Sequence, residues 1–387
     1  MSGTIAQNPN RQSGAIGSIP SATKDAGNPT KTTNPSSGVG AEWINTTSGA
    51  IFICTDATTN DNTWIAQTGS PISIGDRGLW IGGASGTFAD AESVYNTIDY
   101  ISINTLCDST LFGDLAARKY EATGVSNGTN GRGVTCGGLV WYSGIPGGTV
   151  SYNSMEYVTI NTLGNVTDLG DMTSAYYSMS GCSNATNDRG ILWGGQPPGG
   201  GNSHIDYFTI TSTANATNFG NKTVATRYSA ATDNVTDDRG VSSGGDGATT
   251  GYDTMEYVTI SSAGNATDFG NLTQARFQLA ATSNSVNNRG VVAGGTKDGT
   301  IYNIIDYFTI NTTGNATDFG DLTLARKEMP GLSNGTGERG VFGCGNPAGT
   351  ARKRMDYITI NSTGNATVFG AMRRDALETG SASDCGT

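Results

Sequence analysis

A segment of about 50 residues recurs six times after residue 76, and this repeat constrains the fold more than any other feature of the chain. Each copy opens with an Arg-Gly pair and carries an Asp-Tyr or Glu-Tyr pair further along. The opening arginines are Arg77, Arg132, Arg189, Arg239, Arg289 and Arg339. The tyrosines are Tyr100, Tyr157, Tyr207, Tyr257, Tyr307 and Tyr357. Successive arginines are 55, 57, 50, 50 and 50 residues apart. A fixed period of this length indicates a propeller or a solenoid, in which one small unit is stacked against copies of itself.

One copy, from residue 289 onward, divides into four short runs separated by turn residues. The candidate strands are Arg289–Gly295, Ile304–Ile310, Asn315–Leu322 and Arg326–Asn334. Turn-forming Gly, Asn, Asp and Thr separate these runs, and none of them shows the 3.6-residue apolar period of a helix. The pattern predicts an all-β unit, and four strands per repeat are typical of one propeller blade.

The repeat resembles a known family. An Arg-Gly pair followed by apolar residues and Gly-Gly, then a strand of the IDYFTI kind, then an outer strand ending near Ala-Arg, is similar to the kelch repeat of β-propellers. This resemblance implies a six-bladed propeller of four-stranded antiparallel blades over residues 75–387. The outer strand lacks the Trp of most kelch units, and Phe219, Phe269, Phe319 and Phe369 stand there instead. Repeats with phrases such as GNATDFG also resemble those in structural proteins of tailed bacteriophages, which implies a virion protein.

The register of the repeats predicts how the ring closes. In kelch order the Arg-Gly strand is the second of its blade, so the first unit lacks an innermost strand and the last unit has one left over. Arg374–Asp384 stands where Leu324–Asn334 stands in the preceding copy. We expect this C-terminal strand to complete the first blade, because closure removes the exposed sheet edges that invite aggregation.

Composition excludes several partners. Glycine accounts for 57 of 387 residues, which suits a chain that turns often. The formal net charge is −11, so no basic surface for binding nucleic acid is expected. The N-terminus lacks the charged and apolar regions of a signal peptide, and no apolar stretch is long enough to span a membrane. We therefore expect synthesis in a host cytoplasm, incorporation into a virion and no membrane insertion. The six cysteines form no CxxC pair and are expected to be reduced thiols, without disulfides or zinc.

The first 74 residues differ from the repeats. Residues 1–41 are a polar, Gly/Ser/Thr/Pro-rich arm, residues 42–66 predict a small β-meander, and residues 67–74 read as a linker. The apolar residues of the meander are Trp43, Ile51, Phe52, Ile53, Trp64 and Ile65. The sequence of residues 42–66 resembles short modules near the N-termini of phage tail and capsid-associated proteins. A segment this short cannot form a core alone, so we expect residues 1–66 to attach to other virion proteins, in a homo-oligomer or symmetric multi-copy assembly.

No residue set predicts catalysis, a metal site or a cofactor. The one histidine, His204, occupies a loop position of the repeat and is expected to be a surface residue. GxSxG strings occur by chance in a chain this rich in Gly and Ser, without the helix or histidine of a nucleophile elbow. Carboxylates recur at Asp99, Glu156, Asp206, Glu256, Asp306 and Asp356. With the repeated arginines they could serve a sialidase-like hydrolase, but residues that recur with the symmetry of a ring favour hydrogen bonds or ion pairs between blades.

A second recurring element is the Asn-Xaa-Thr phrase. Its asparagines are Asn165, Asn215, Asn265, Asn315 and Asn365. This phrase would permit N-glycosylation in a secreted eukaryotic protein. In the absence of a signal peptide we interpret the asparagines as turn residues whose side chains bond nearby backbone groups. The neighbouring carboxylates Asp168, Asp171, Asp268, Asp318 and Asp321 leave calcium binding as an alternative, although their spacing matches no known calcium loop.

Symmetry is broken in two enlarged loops. The arginine-to-tyrosine distance is 23 and 25 residues in the first two units and 18 in the others. The enlarged loops are Gly83–Asn96 and Leu139–Asn153, on the face that kelch-like propellers commonly use for binding. They carry five aromatic candidates for a glycan or protein contact: Phe88, Tyr95, Trp141, Tyr142 and Tyr152. The alternative is that these aromatics cap the propeller core.

Three hypotheses for function follow from the sequence. The first is a phage virion component, anchored by its N-terminal segment, whose propeller binds a host-surface glycan or protein, or decorates the particle. The second is a carbohydrate-binding or adhesive propeller outside any virion. The third is a glycan-cleaving enzyme, which the lack of a unique acid and base pair disfavours.

Overall fold

The computed structural model describes residues 22–26, 29, 32–46, 51–59, 63–66, 77–85, 93–128, 131–141, 149–184, 188–197, 201–234, 237–247, 250–347 and 352–383. The chain forms two compact units, Met1–Ile72 and Ser73–Thr387. The prediction of an all-β chain is confirmed: the described ranges contain strands and short 3₁₀ segments, such as the turns at Ser285–Asn287 and Gly335–Gly337. Accordingly, none of the described helices has the length and apolar character to cross a membrane.

The smaller unit contains one four-stranded sheet. Its strands are β1 (Thr23–Asp25), β2 (Glu42–Asn45), β3 (Ile51–Asp56) and β4 (Thr63–Ala66), paired in that order. Strands β2 to β4 are antiparallel and lie within the predicted meander, whereas β1 is parallel to β2 and lies in the segment predicted to be an extended arm. A three-residue, fully exposed Thr-Lys-Asp strand has no apolar pattern by which the sequence could reveal it. The predicted linker at 67–74 lies outside the described residues.

The larger unit contains six four-stranded sheets, each paired in the order a-b-c-d and antiparallel throughout. In sheets 1 to 6, strand a is Gly380–Ser383, Thr123–Ser126, Ser180–Ser183, Ala230–Asn234, Ala280–Ser283 and Gly331–Ser333. Strand b is Arg77–Ile81, Arg132–Cys136, Arg189–Trp193, Arg239–Ser243, Arg289–Ala293 and Arg339–Gly343. Strand c is Thr97–Ser102, Ser154–Thr159, Asn202–Thr209, Thr254–Thr259, Ile304–Thr309 and Arg354–Thr359. Strand d is Thr110–Asp114, Thr167–Asp171, Thr217–Thr226, Thr267–Asn271, Thr317–Asp321 and Thr367–Ala371.

Small additional sheets form around the loops. One has three strands, Lys119–Tyr120, Leu139–Trp141 and Thr149–Ser151, and two have a single pair. The pairs are Thr296–Lys297 with Thr300–Ile301, and Arg326–Lys327 with Asn346–Pro347. The run predicted as one strand over 326–334 is therefore two strands, Arg326–Lys327 and Gly331–Ser333. The break has a physical cause, since Glu328 has a positive φ of 60° and Pro330 has no N–H for a ladder.

Sheet 1 is assembled from both ends of the larger unit. Its strand a, Gly380–Ser383, pairs with strand b so that Gly380 faces Ile81 and Ser383 faces Gly78. This is the sheet that the C-terminal segment was predicted to complete, although the observed strand is shorter than Arg374–Asp384. The preceding Leu377 forms a bridge with Ala84 instead.

Contacts between the sheets follow a closed cyclic order. Strand a of each sheet contacts strand a of the next, and strand a of sheet 6 contacts that of sheet 1. The apolar clusters follow the same order: Ile305 and Phe319 of sheet 5 pack with Ile358 of sheet 6, and Phe369 of sheet 6 packs with Trp80 of sheet 1. The core of this unit is therefore six layers, each between two neighbouring sheets.

The Phe-Gly pair of strand d shows why the repeat phrase is needed. Phe269 is buried in the layer toward the next sheet, next to Phe308, with ring centroids 5.3 Å apart. A Cβ on the following Gly270 would lie 2.3 Å from the carbonyl oxygen of Gly314, and its φ is +144°. Gly270 therefore permits the close approach of the neighbouring sheet's turn.

Cysteines in the described part of the chain are free thiols. Cys54, Cys136, Cys182 and Cys344 are buried and Cys107 is half-buried. Burial raises the pKa of the Cys136 and Cys182 thiols, so both stay protonated and unreactive near neutral pH.

Candidate functional site

The repeated arginines join neighbouring sheets. Each guanidinium lies over the ring of the repeated tyrosine in its own sheet and donates to an isoleucine carbonyl in the next sheet. Arg132, for example, lies 3.9 Å from the centroid of Tyr157 and donates to the carbonyl of Ile210 at 2.9 Å. The other five bonds run from Arg77 to Ile160, Arg189 to Ile260, Arg239 to Ile310, Arg289 to Ile360 and Arg339 to Ile103. The last returns to sheet 1, so these arginines serve the architecture.

The repeated carboxylates of strand c are compensated by groups from the preceding sheet or from their own strand. Asp306 pairs with Arg276 at 3.0 Å and Asp356 with Arg326 at 2.7 Å, with all four side chains fully buried. The other contacts are Lys119 to Glu156, Arg373 to Asp99, His204 to Asp206 and the Thr223 N–H to Glu256. Different cations and hydrogen-bond donors thus bind the repeated carboxylates, because burying a carboxylate without a partner costs free energy.

His204 belongs to this set, and the prediction of a surface loop residue was wrong. It lies inside strand c of sheet 3, and its Nε2 is 2.8 Å from Asp206 Oδ1 and 3.1 Å from Thr173 Oγ1. Tyr176 stands at the repeat position that is Arg276 two units later, and its ring is 6.1 Å from the imidazole. Because Tyr176 replaces the arginine in this repeat, His204 binds the carboxylate of Asp206 instead.

The asparagines of the Asn-Xaa-Thr phrase also connect sheets. Asn315 Oδ1 accepts the N–H of Asn271, at the end of strand d of the preceding sheet, at 3.1 Å. The same contact is made by Asn165, Asn215, Asn265 and Asn365, and by Asp108 at the sixth position. The bonded backbone lies at least 44 residues away, so the interpretation as local turn bonds was wrong: the sheets bring together groups that the sequence separates.

The predicted loop aromatics are placed differently from one another. Phe88 and Tyr142 lie outside the described residues, and of Trp141 the structure describes only the backbone, within the strand Leu139–Trp141. Tyr95 is half-buried, packs against the apolar cluster between sheets 6 and 1, and has the Arg374 guanidinium 4.4 Å from its ring centroid. Tyr152 is also half-buried. Tyr95 is therefore part of the packing, as the alternative reading held.

The most distinctive feature of the unit is a ring of six residues that lie two or three positions before the strands a. We call it the central ring. Its members are Glu121, Ser178, Tyr228, Gln278, Glu328 and Glu378. All six have positive φ, between 53° and 60°, a conformation that disfavours residues with a side chain. Each N–H donates to the carbonyl of the preceding member at 2.9–3.1 Å, and the N–H of Glu121 donates to Glu378, which closes the ring.

A cavity of about 130 Å³ lies at the central ring. All six ring side chains line it, together with the first residues of the strands a and apolar groups such as Met179, Leu279 and Met329. The two enlarged loops begin beside it: Leu139 pairs with Tyr120, next to Glu121, and Ala84 pairs with Leu377, next to Glu378. Described residues at the start of both enlarged loops therefore pair with neighbours of the central ring.

The side chains of the ring form two short hydrogen-bonded groups. Glu121 accepts from the hydroxyls of Ser178 and Tyr228, the latter at 3.3 Å. Glu328 accepts from the Gln278 amide at 2.7 Å and pairs with Lys327 at 2.9 Å. Glu378 is partly exposed as a residue, but its Oε2 is buried and has no hydrogen-bond partner among the described residues.

Burial dominates the titration of this site. It raises the pKa of Glu121 from 4.5 to about 7, against the lowering effect of its two hydroxyl partners. It also raises the pKa of Glu378, and the nearby charges of Glu121 and Glu328 raise it further. The pKa of Tyr228 is raised as well, so its hydroxyl remains a donor. Burial thus disfavours the charged form of both carboxyl groups near neutral pH.

Sequence reasoning missed the central ring because its six members do not share one residue type. A signal was present, since this position of the repeat reads Glu, Ser, Tyr, Gln, Glu and Glu within otherwise similar repeats. A regular backbone with variable side chains is the pattern expected of a binding site on a symmetric scaffold. Among the residues whose positions are given, no group of three or more His, Cys, Asp or Glu side chains is arranged to hold a metal ion.

Compared with protein-family models and with curated proteins, the chain shows no match in either. Its function therefore has to be inferred from the geometry of the central ring and from the repeat itself.

Proposed function

We propose that residues 73–387 form a six-bladed, kelch-like β-propeller, and that the chain is a virion component which uses this propeller to bind a host-surface ligand. The cyclic order of sheet contacts supports the propeller. Three independent sets of bonds, from the repeated arginines, from the phrase asparagines and from the central ring, each run from sheet to sheet and return to sheet 1. A row of six sheets in a solenoid would leave its two ends uncontacted.

The observation that carries binding as the function is the central ring. The repeated arginines and the phrase asparagines join the sheets, whereas the six ring residues, of four different types, line one cavity. A small number of polar groups converging on a concave site is typical of ligand binding. A glycan fits this site, since hydroxyls, an amide and carboxylates can bond sugar hydroxyls while Met179 and Leu279 offer apolar contact.

Attachment is proposed for residues 1–66. Few of the described residues of this segment are buried: Ala41, Asn45, Phe52 and Cys54. Strand β1 is exposed along its whole length at the edge of the sheet. An exposed sheet edge can pair with a partner, here proposed to be other virion proteins or further copies of the chain.

The test separates the two units. Full-length protein and a chain starting at Ser73 are added to particles that lack this protein, and to host cells. Only the full-length protein should bind the particles, whereas both should bind the cells. Full-length protein that binds cells but no particle would instead support an adhesive propeller outside any virion. Binding to neither would refute the proposal, and release of reducing sugar from host glycans would show an enzyme.

A further inference from the structure

Three carboxylates occupy consecutive positions of the central ring. The Glu378 N–H donates to the Glu328 carbonyl at 3.1 Å, and the Glu121 N–H donates to the Glu378 carbonyl at 3.0 Å. The other three members, Ser178, Tyr228 and Gln278, are uncharged. The cavity therefore has an acidic half and a neutral half.

The acidic half contains more carboxyl groups than cationic groups. Lys327 pairs with Glu328 at 2.9 Å. Arg227 lies near Glu121, but its Nε donates to Asp246 at 2.9 Å, so that charge is already neutralised. Glu121 and Glu378 share no further ion pair in the described part of the chain.

Glu378 indicates which chemical groups a ligand of this cavity should carry. Its Oε2 is buried in the cavity wall and accepts no hydrogen bond from the described residues. A buried acceptor left without a donor costs about 1–3 kcal/mol, and more when it is charged. A ligand that brings both a donor and a positive charge removes this cost.

The ligand chemistry follows from these groups. A primary ammonium carries three donors and one positive charge, which suits two adjacent carboxylates. The neutral half offers two hydroxyls and an amide, which suit the hydroxyls of a sugar ring. The cavity of about 130 Å³ is large enough for a small polar ligand group, because one water needs about 10–15 Å³ on this scale.

We infer that the central cavity binds an amino sugar through its free ammonium group, with Glu378 as the principal acceptor and Glu121 beside it. The inference rests on the proposed function and names its ligand class. Burial raises the pKa of both carboxyl groups because their charged forms lack a partner, and a bound ammonium would supply that partner and favour the charged forms.

The experiment is calorimetric titration of the full-length protein at pH 7, where the amino group of glucosamine is mostly an ammonium, with glucosamine, N-acetylglucosamine and glucose. Glucosamine should bind at least tenfold more tightly than the two neutral sugars. Glu378→Gln should abolish this preference, whereas Glu42→Gln, which removes the same charge from an exposed strand of the smaller unit, should leave it unchanged. Circular dichroism and thermal melting show whether Glu378→Gln is folded, and Glu121→Gln provides a second variant with the same expected loss.

Several results would overturn the inference. Equal affinity for all three sugars, no binding of any, or an unchanged preference in folded Glu378→Gln would each do so. Lysine amide that binds as tightly as glucosamine would show an ammonium site that is not a sugar site. In all these cases full-length protein that still binds host cells would leave the proposed function standing.

Discussion

Removal of strand a from sheet 1 tests whether the chain is held together at its ends. A chain that stops after Thr379 keeps the central ring but loses Gly380–Ser383. Four residue pairs with strand b are lost, and at about 1 kcal/mol per hydrogen bond this costs about 4 kcal/mol. Leu79 and Ile81, which pack with Ala382, lose their cover, at about 1.5–3 kcal/mol each. The sum, about 7–10 kcal/mol, is comparable to the whole stability of a typical domain.

The measurement is urea unfolding followed by circular dichroism, with size-exclusion chromatography to detect aggregation. The matched control is a chain that stops after Ser383 and so keeps the strand. We expect the control to unfold cooperatively like the full-length protein, and the shorter chain to aggregate or unfold over a broad range at low urea. A chain lacking residues 1–66 should also keep the main transition, because those residues belong to the other compact unit. Identical midpoints and slopes for chains ending at 379 and 383 would refute the reasoning.

Three further predictions concern single residues. Arg276→Met should lower the free energy of unfolding by about 3–5 kcal/mol, because Asp306 stays buried without its cation. Strictly additive losses in a double-mutant cycle with Asp306→Asn would contradict an interaction between the two side chains. Gly270→Ala should lower the free energy of unfolding by at least about 1 kcal/mol, because its Cβ would meet a carbonyl oxygen. The control Gly314→Ala has open space around its Cβ and should be nearly neutral. Equal losses for the two variants would argue against the close approach of the neighbouring turn to Gly270. Finally, the folded state holds the Glu121 proton up to about pH 7, above its unfolded value of 4.5, so stability should fall by roughly 3 kcal/mol as pH rises through this window. Glu121→Gln should flatten that slope, and an unchanged pH profile would show that another group is responsible.

Much of the fold was predictable because its signals are local. The Arg-Gly pair, the IDYFTI strand and the Phe-Gly pair recur in each copy, and strand pattern and turn chemistry depend on residues close together in the chain. Even the pairing of the C-terminal strand with sheet 1 could be predicted, since it follows from counting strands against the period. Strand β1 and the break at Glu328 were not predictable in this way, because backbone pairing and a positive φ have no reliable residue pattern.

The candidate site, unlike the fold, could not be predicted from the sequence. The sequence pointed to aromatic loops, of which Tyr95 turns out to pack against the core. It gave no reason to group Glu121 with Glu378, which are far apart in the chain and meet only because the last sheet contacts the first.

The period, the strand content and the residues that repeat were thus determined by the sequence alone, because each depends on neighbours along the chain. Which unlike residues share one cavity was decided only by the tertiary structure. The ring of backbone hydrogen bonds brings Glu328, Glu378 and Glu121 together across turns of the chain 50 residues or more apart. Burial there, and not residue type, raises the pKa of Glu121 and Glu378 and leaves one carboxylate oxygen without a donor.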